Sequence, residues 1–306
     1  PIECHDIMCK IGEVVVVGGV RRSALISLSN LNDDQMAHAK SGQWWTNEGQ
    51  RALANNSVAY KGKPEMGTFM REWLSLYDSK SGERGIFNRQ AAQKQAAKNG
   101  RRDVEHDFGC NPCSEIILRP YQFCNLSEVV VRATDTQQTL TEKVRLATIL
   151  GTFQSTLTNF KYLRKIWRRN TEEERLLGVS LTGIMDNAMM SGKSAHLGMN
   201  IGATLNALRV QAVTTNAAMA SELNIPISTA ITCVKPSGTV SQLVNSASGI
   251  HARHNPYYIR TVRGDNKDPL TQFLVNVGIP AEPDVMKPDS TTVFSFPMKS
   301  PAGADL

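Results

Sequence analysis

The chain has 306 residues, 41% of them hydrophobic, with 34 Lys and Arg against 28 Asp and Glu and a net charge of +6. That length and apolar content allow a sizeable buried core, and no apolar run approaches the roughly eighteen residues a membrane-spanning helix needs, so a membrane protein is excluded. Six cysteines are too sparse for a disulfide-stapled secreted scaffold, so thiols that are reduced, catalytic or metal-bound are expected, in the cytoplasm.

In chain order, Ile2 to Gly12 reads as a helix with Ile7, Met8 and Ile11 on one side and Gly12 as its stop. "EVVVVGG" reads as a strand buried on both faces, and "ALISLS" alternates as a second strand. Met66 to Asp78 puts Phe69, Met70, Trp73, Leu76 and Tyr77 on one helical stripe, and "AAQKQAAKNG" closes another helix at Asn99 and Gly100. Thr139 and Glu142 have capping-box spacing ahead of a helix whose core-facing stripe is Leu146, Ile149, Leu150, Phe153 and Leu157. Thr171 and Glu174 repeat that spacing, but "LLGVSL" suits a strand, because Gly178 and the β-branched residues weaken a helix there. Thr204 to Leu223 is amphipathic through Leu205, Leu208, Ala212, Met219 and Leu223. "ITCVKPSGTVS" reads as strand, turn and helix start, Asp268-Pro269 opens a short helix, and "TTVFSF" is a last strand. Strands separated by helices predict an α/β fold with largely parallel strands in one domain over residues 1–306.

The basic residues come in pairs, Arg21 and Arg22, Arg101 and Arg102, Arg168 and Arg169. They lack interleaved aromatics and any helix-turn-helix or finger pattern, which argues against sequence-specific nucleic-acid binding. Pro1 is not an initiator Met and no basic-then-apolar leader follows it, so the chain reads as a fragment.

Chemistry enters at "GCNPCSEIILRPYQFC". In an extended stretch, alternate residues Asn111, Cys113 and Glu115 present an amide, a thiol and a carboxylate on one face. A neighbouring carboxylate disfavours thiolate, so the trio suits a neutral thiol working with a base rather than a Cys-His hydrolase. Two rivals stand beside it. His106, Cys110, Cys113 and Cys124 have Zn-capable ligand types, in a zinc-stabilised nucleotide- or nucleic-acid-binding module, although their spacing is not a familiar knuckle pair. Buried inert cysteines are the plain alternative for any one of them. His251 and His254 lack supporting carboxylate or Cys ligands, and no metal site is assigned.

"NPCSEI" followed by "CNLSEV" strongly resembles the finger loop of ribonucleotide reductases, in wording most similar to the adenosylcobalamin-dependent class II enzymes of the monomeric triphosphate-reductase type. "GGVRRSA", "NNSV", "ERLLGVSLTGIMD" and "VKPSGTVSQL" follow the family's order, so the resemblance covers most of the chain. It implies a ten-stranded α/β barrel with a central finger loop, incomplete in this chain, that reduces ribonucleotides, triphosphates in the first instance, to 2'-deoxyribonucleotides. Its cofactor would be adenosylcobalamin, its effector a nucleoside triphosphate and its reductant a thioredoxin-type dithiol. Cys113 would carry the thiyl radical that takes the ribose 3'-hydrogen, Glu115 would be the base on the 3'-hydroxyl, and Asn111 would hold the same end of the ribose. Cys124 matches one of two cysteines that form a disulfide as the 2'-hydroxyl leaves as water.

The same resemblance assigns substrate contacts to Asn55, Asn56 and Ser57 and to the phosphate loop Pro236, Ser237, Gly238, Thr239 and Ser241. It makes Gly18, Gly19, Val20, Arg21, Arg22 and Ser23 the loop through which an effector sets base specificity. Read by themselves, these are a polar strand end, a Pro-Ser-Gly turn and a solvated basic turn. A class I chain served by a separate metal radical subunit is the alternative enzyme. The family's upstream partner of Cys124 and its tail cysteines have no counterpart here, and Cys110 matches no family position, so this chain alone is expected not to turn over.

Overall fold

The computed structural model describes residues 1–17, 20–21, 23–193 and 200–304, with only the backbone described at 16, 17, 20 and 21. Its elements run α1 (Ile2–Glu13), β1 (Val16–Val17), β2 (Val20–Arg21), β3 (Leu25–Ser29), α2 (Asp34–Ala37), α3 (Trp44–Asn47), β4 (Ala54–Tyr60), α4 (Met66–Ser79), β5 (Gly85–Asn88) and α5 (Arg89–Ala97). They continue with β6 (Gly109–Cys110), β7 (Ile117–Leu118), β8 (Asn125–Val130), α6 (Gln137–Gln154), α7 (Lys165–Glu174), β9 (Leu177–Thr182), α8 (Ile201–Glu222) and α9 (Thr239–Leu243). β10 (Tyr257–Asp265), α10 (Pro269–Asn276), β11 (Ala281–Pro283) and β12 (Thr291–Lys299) complete the chain. Contacts divide it into two compact units, Pro1–Ala92 with Tyr257–Lys299, and Gln93–Pro256 with Ser300–Leu306.

In the first unit β3, β4 and β5 form a parallel sheet with Leu25 opposite Ala54 and Ser57 opposite Gly85. The crossovers carry helices, as parallel pairing requires. β10, β12 and β11 form an antiparallel sheet with β12 in the middle. Among the described residues the strands fall into sheets of two or three. α1 spans the expected segment, but His5 and Cys9 are its buried residues while Ile7, Met8 and Ile11 are exposed. His5 is drawn inward by the Asn56 amide oxygen at 3.0 Å, which lets a polar residue displace the apolar stripe. Among its described residues, "EVVVVGG" contains the two-residue β1 in place of a longer buried strand, with Val14 and Val15 exposed.

The second unit is built on β8 and β9, parallel with Asn125 opposite Leu177, and Thr232 bridges Val179 on the far edge of β9. α6 and α8 cover one face, and Val129, Val131, Leu140, Val144, Leu177, Val179, Leu208 and Ala212 form the core between them. α6 starts one turn before the predicted cap. Thr136 accepts from the Thr139 backbone N–H at 3.3 Å and Thr139 accepts from that of Thr136 at 3.0 Å, so Thr139 is the third helical residue. Its buried face is Leu140, Val144, Ala147, Thr148, Gly151 and Thr152, whereas Leu146, Leu150, Phe153 and Leu157 are exposed. Threonines belong in that face because their hydroxyls donate back to carbonyls one turn earlier, Thr148 to Val144 at 2.7 Å and Thr152 to Thr148 at 2.8 Å. α8 does the same through Asn216, whose amide donates to Thr152 Oγ1 and Ser228 Oγ at 3.0 Å, while Leu205 is exposed. "LLGVSL" is strand β9, as the composition around Gly178 predicts.

Candidate active site

β6 and β7 make a short antiparallel hairpin with Gly109 opposite Leu118, and the segment between them carries Asn111, Cys113 and Glu115. This segment is a turn, not the extended run expected from alternation. The Ser114 N–H donates to the Asn111 carbonyl at 2.9 Å, and Ser114 has φ +63. The Asn111 side-chain oxygen accepts from the Ile116 N–H at 2.9 Å, so Asn111 closes the loop internally. Cys113 stands exposed at the tip. Glu115, two residues on, has its side chain fully excluded from solvent.

Glu115 Oε1 accepts from Lys235 Nζ at 2.7 Å, and its Oε2 is buried without a hydrogen-bond partner. Burial pulls the Lys235 ammonium down, but the hydrogen bond and charge of Glu115 outweigh it and leave the group above its usual value. A cavity of about 890 Å³ opens beside the hairpin, bordered by Glu115, Ile116, Ile117 and the basic residues Arg101, Arg102 and Arg209.

Gly178 lets the hairpin lie on the sheet. A Cβ there would come within 2.4 Å of Leu126 Cδ2, 3.0 Å of Ile116 Cδ1 and 3.1 Å of Cys233 Sγ. The hairpin base is pinned by Arg102, which donates through Nε to both Glu174 oxygens at 3.1 Å and through Nη2 to the Ile117 carbonyl at 2.9 Å. Gln122 joins this group by donating to Glu174 at 2.5 Å. Both partners of the ion pair are buried, so the second arginine of the "RR" pair at 101 and 102 is structural.

Cys124 immediately precedes β8 and Cys233 follows the bridge at Thr232, so the two thiols flank β9. Burial first, then the charge of Glu115, pushes the Cys124 thiol up to about 11 and the Cys233 thiol up to about 12. Cys110 is raised by burial as well, partly offset by a hydrogen bond with Ser114. Cys124 and Cys233 hold their protons longer in the native than in the unfolded chain. Their contribution to stability is therefore complete below the ordinary thiol value and lost as pH rises through about 11 to 12. Pulse alkylation with iodoacetamide, read by mass spectrometry, is expected to give a midpoint near pH 11 for Cys124 in the folded chain. In denaturant the midpoint returns to about 8.5. Cys113 is expected to label ahead of both at pH 8, because it alone of the three is exposed.

The "VKPSGTVSQL" segment is a turn leading into α9, as expected. Ser237 Oγ accepts from the Ser241 N–H at 3.1 Å, and Ser241 Oγ donates to the Gly238 carbonyl at 2.8 Å. Ser248 donates to the Ser237 carbonyl. Beneath it Asp186 accepts from the Ala247 N–H at 2.8 Å and holds Arg253 at 2.7 and 2.9 Å, all buried. Pro236, Gly238 and Thr239 are exposed and Ser237 and Ser241 buried, so the hydroxyls of the two serines shape the loop rather than face outward.

Asn55, Asn56 and Ser57 lie on β4 in the other unit. Asn56 is buried toward His5, with its Nδ2 unpaired, and its neighbours point to the opposite face. Of the basic loop, Gly18, Gly19 and Arg22 lie outside the described residues. Val20 and Arg21 pair with Val17 and Val16, and Ser23 Oγ donates to the Gly12 carbonyl at 2.6 Å. His106 accepts from Arg119 and packs edge-on against Phe108, and among the described residues no group of three or more His, Cys, Asp or Glu is placed to hold a metal.

No family model matches the chain. The adenosylcobalamin-dependent ribonucleoside-triphosphate reductase of Lacticaseibacillus paracasei is 30% identical over 98% of this chain and 42% of its own length. That of Lactobacillus leichmannii is 29% identical over 99% of this chain and 43% of its own. A crystal structure of a B-12 dependent (class II) ribonucleotide reductase superposes with a TM-score of 0.70 at 25% identity, covering 98% of this chain and 43% of that one. Over nearly its whole length the chain is similar to ribonucleotide reductases.

The class Id ribonucleotide reductase alpha subunit of Actinobacillus ureae shares the fold more distantly, with a TM-score of 0.55 at 14% identity over 90% of this chain and 56% of that one. The chain thus spans less than half the length of the curated ribonucleotide reductases it matches. Lys235 and Cys233 beside the hairpin are the residues sequence reasoning passed over. Lys235 carried a signal, being a cation directly before a Pro-Ser-Gly turn in a motif already singled out. Cys233 carried none, because only the strand order places it near Cys124.

Proposed function

We propose that this chain is the catalytic segment of an adenosylcobalamin-dependent ribonucleoside-triphosphate reductase, and that its hairpin is the finger loop of the family's ten-stranded α/β barrel. One observation carries the reading: an exposed thiol at the turn, Cys113, two residues from a carboxylate that is shut off from solvent and keeps one oxygen unpaired. Adenosylcobalamin supplies the one-electron chemistry that takes a hydrogen atom from a thiol. An accessible sulfur at the loop tip fits that requirement.

Once Cys113 has lost its hydrogen atom, its sulfur takes the ribose 3'-hydrogen. Glu115 accepts the 3'-hydroxyl proton on Oε2, the oxygen free of Lys235. Cys124, held protonated by burial, gives a proton to the 2'-hydroxyl, which leaves as water; Cys124 and a partner thiol supply the hydrogen that C2' gains and become a disulfide, the 3'-hydrogen returns from Cys113 to C3', and a thioredoxin-type dithiol reduces the disulfide. The loop at Pro236–Ser241 takes the substrate phosphates and Asn111 takes the sugar, while residues 18–23 respond to a nucleoside triphosphate effector. The reaction belongs to the cytoplasm, and no described helix is long and apolar enough to cross a membrane.

The test is reduction of a ribonucleoside triphosphate by the full-length protein with dithiol reductant, with adenosylcobalamin present or absent. Turnover that requires the cobalamin is expected. Turnover that instead requires an iron- or manganese-loaded partner subunit would assign the chain to class I.

A further inference from the structure

We propose that Lys235 is a positioning residue for Glu115, a cation fixed on the phosphate loop that neutralises the carboxylate and leaves its second oxygen free for the substrate hydroxyl. This rests on the reading of Glu115 as the base.

The geometry is specific. Lys235 Nζ donates to Glu115 Oε1 at 2.7 Å, the carboxylate side chain has no solvent exposure, and Oε2 has no partner. A carboxylate withdrawn from water needs a cation or several donors, and an ammonium on one oxygen leaves the other with its full accepting capacity. Arg102 borders the same cavity but is taken up by Glu174. Arg101 and Arg209 border the cavity too but donate to the Ser228 carbonyl and the Asn99 side chain, and the thiols of Cys110, Cys113, Cys124 and Cys233, with Glu128 close to Cys233, bring no positive charge.

Lys235 does not reach Glu115 from a loose surface stem. A Cβ on Gly249, which sits at φ +54, would lie 3.4 Å from the Lys235 carbonyl and 3.5 Å from the Ser237 N–H, so the loop backbone packs directly on the Gly249 turn. That turn is tied down by the Gly249 N–H donating to Thr182 Oγ1 at 2.9 Å and by Asp186 with Arg253. Glu115 and the phosphate loop are therefore joined through one side chain.

The experiment compares Lys235→Met, Lys235→Arg and Glu115→Gln in the full-length reductase. Two readouts are used: the pH profile of kcat, and the infrared band of a protonated carboxyl assigned by its loss in Glu115→Gln. Removing an opposite charge at this distance is expected to move the acid limb of kcat upward by about one pH unit or more in Lys235→Met, with the protonated-carboxyl band present at a pH where the parent protein lacks it. Lys235→Arg is expected to restore the profile. An unmoved limb without that band overturns the proposal, as does a rise in KM alone, which marks Lys235 as a phosphate contact. Should Lys235→Met not fold, Lys235→Gln keeps a donor without the charge and carries the same expectations. Full activity in Glu115→Gln removes Glu115 as the base while the infrared band still reports the Lys235 coupling, so the two failures are told apart.

Discussion

Replacing Cys113 by Ser in the full-length protein is expected, on the proposed function, to lower ribonucleotide reduction by at least about 10³-fold while leaving thermal stability unchanged. At 1.36 kcal/mol for each factor of ten, that is upwards of about 4 kcal/mol in the barrier. The structural side follows from the site. Cys113 is exposed at the turn tip, and the turn is held by the Asn111 side chain and the Ser114 backbone rather than by the sulfur. An exposed substitution away from caps and cores changes stability by only about 0.5 kcal/mol. The chemical side follows from what an alcohol cannot do, since serine matches the size of cysteine but holds its hydrogen too strongly to exchange it with a ribose carbon. Steady-state dNTP formation and a thermal melt on the same preparation check both halves. Activity that survives the change would end the assignment of Cys113.

The second large effect is on stability. Glu174→Ala is expected to cost on the order of 3 to 5 kcal/mol, because it leaves the Arg102 guanidinium buried without its counter-charge. At roughly 2 to 4 °C per kcal/mol for a unit of this size, the melting temperature should fall by about 10 °C. Arg102 also holds the Ile117 carbonyl, and Gln122 leans on the same carboxylate, so the base of the finger hairpin loosens with the pair. Adding Arg102→Met to Glu174→Ala should recover part of the loss by removing the stranded charge. Urea denaturation with intrinsic fluorescence measures both. A cost below about 1 kcal/mol would mean that the hairpin is anchored elsewhere.

Much of the local structure was legible because it depends on neighbours in the chain. α4, α8 and α10 follow from periodicity and caps, and Asp268 does cap α10 by accepting from the Leu270 N–H at 2.9 Å. β9 was legible from Gly178 and the β-branched residues around it. The choice of buried face was not. α6 presents two stripes, one with more leucine and phenylalanine and one with threonine and small residues, and the second packs inward. Its threonines satisfy themselves on the helix backbone, and its small residues allow close approach to β8 and β9. Hydrophobicity counts cannot register either effect. α1 follows the same logic through His5 and Cys9.

At the candidate site, the sequence by itself determined that a thiol and an acid, Cys113 and Glu115, stand two residues apart and that Pro236 to Ser241 turns, since each is a contiguous motif whose chemistry sits in adjacent residues. Tertiary structure alone decided that Glu115 faces Lys235, that Cys233 shares the sheet with Cys124 and that Glu174 and Asp186 spend their charges on Arg102 and Arg253. Those pairs are formed by residues far apart in the chain. Their selection depends on which strands align and on the cost of burying a charge unpaired, and neither quantity exists until the chain has folded.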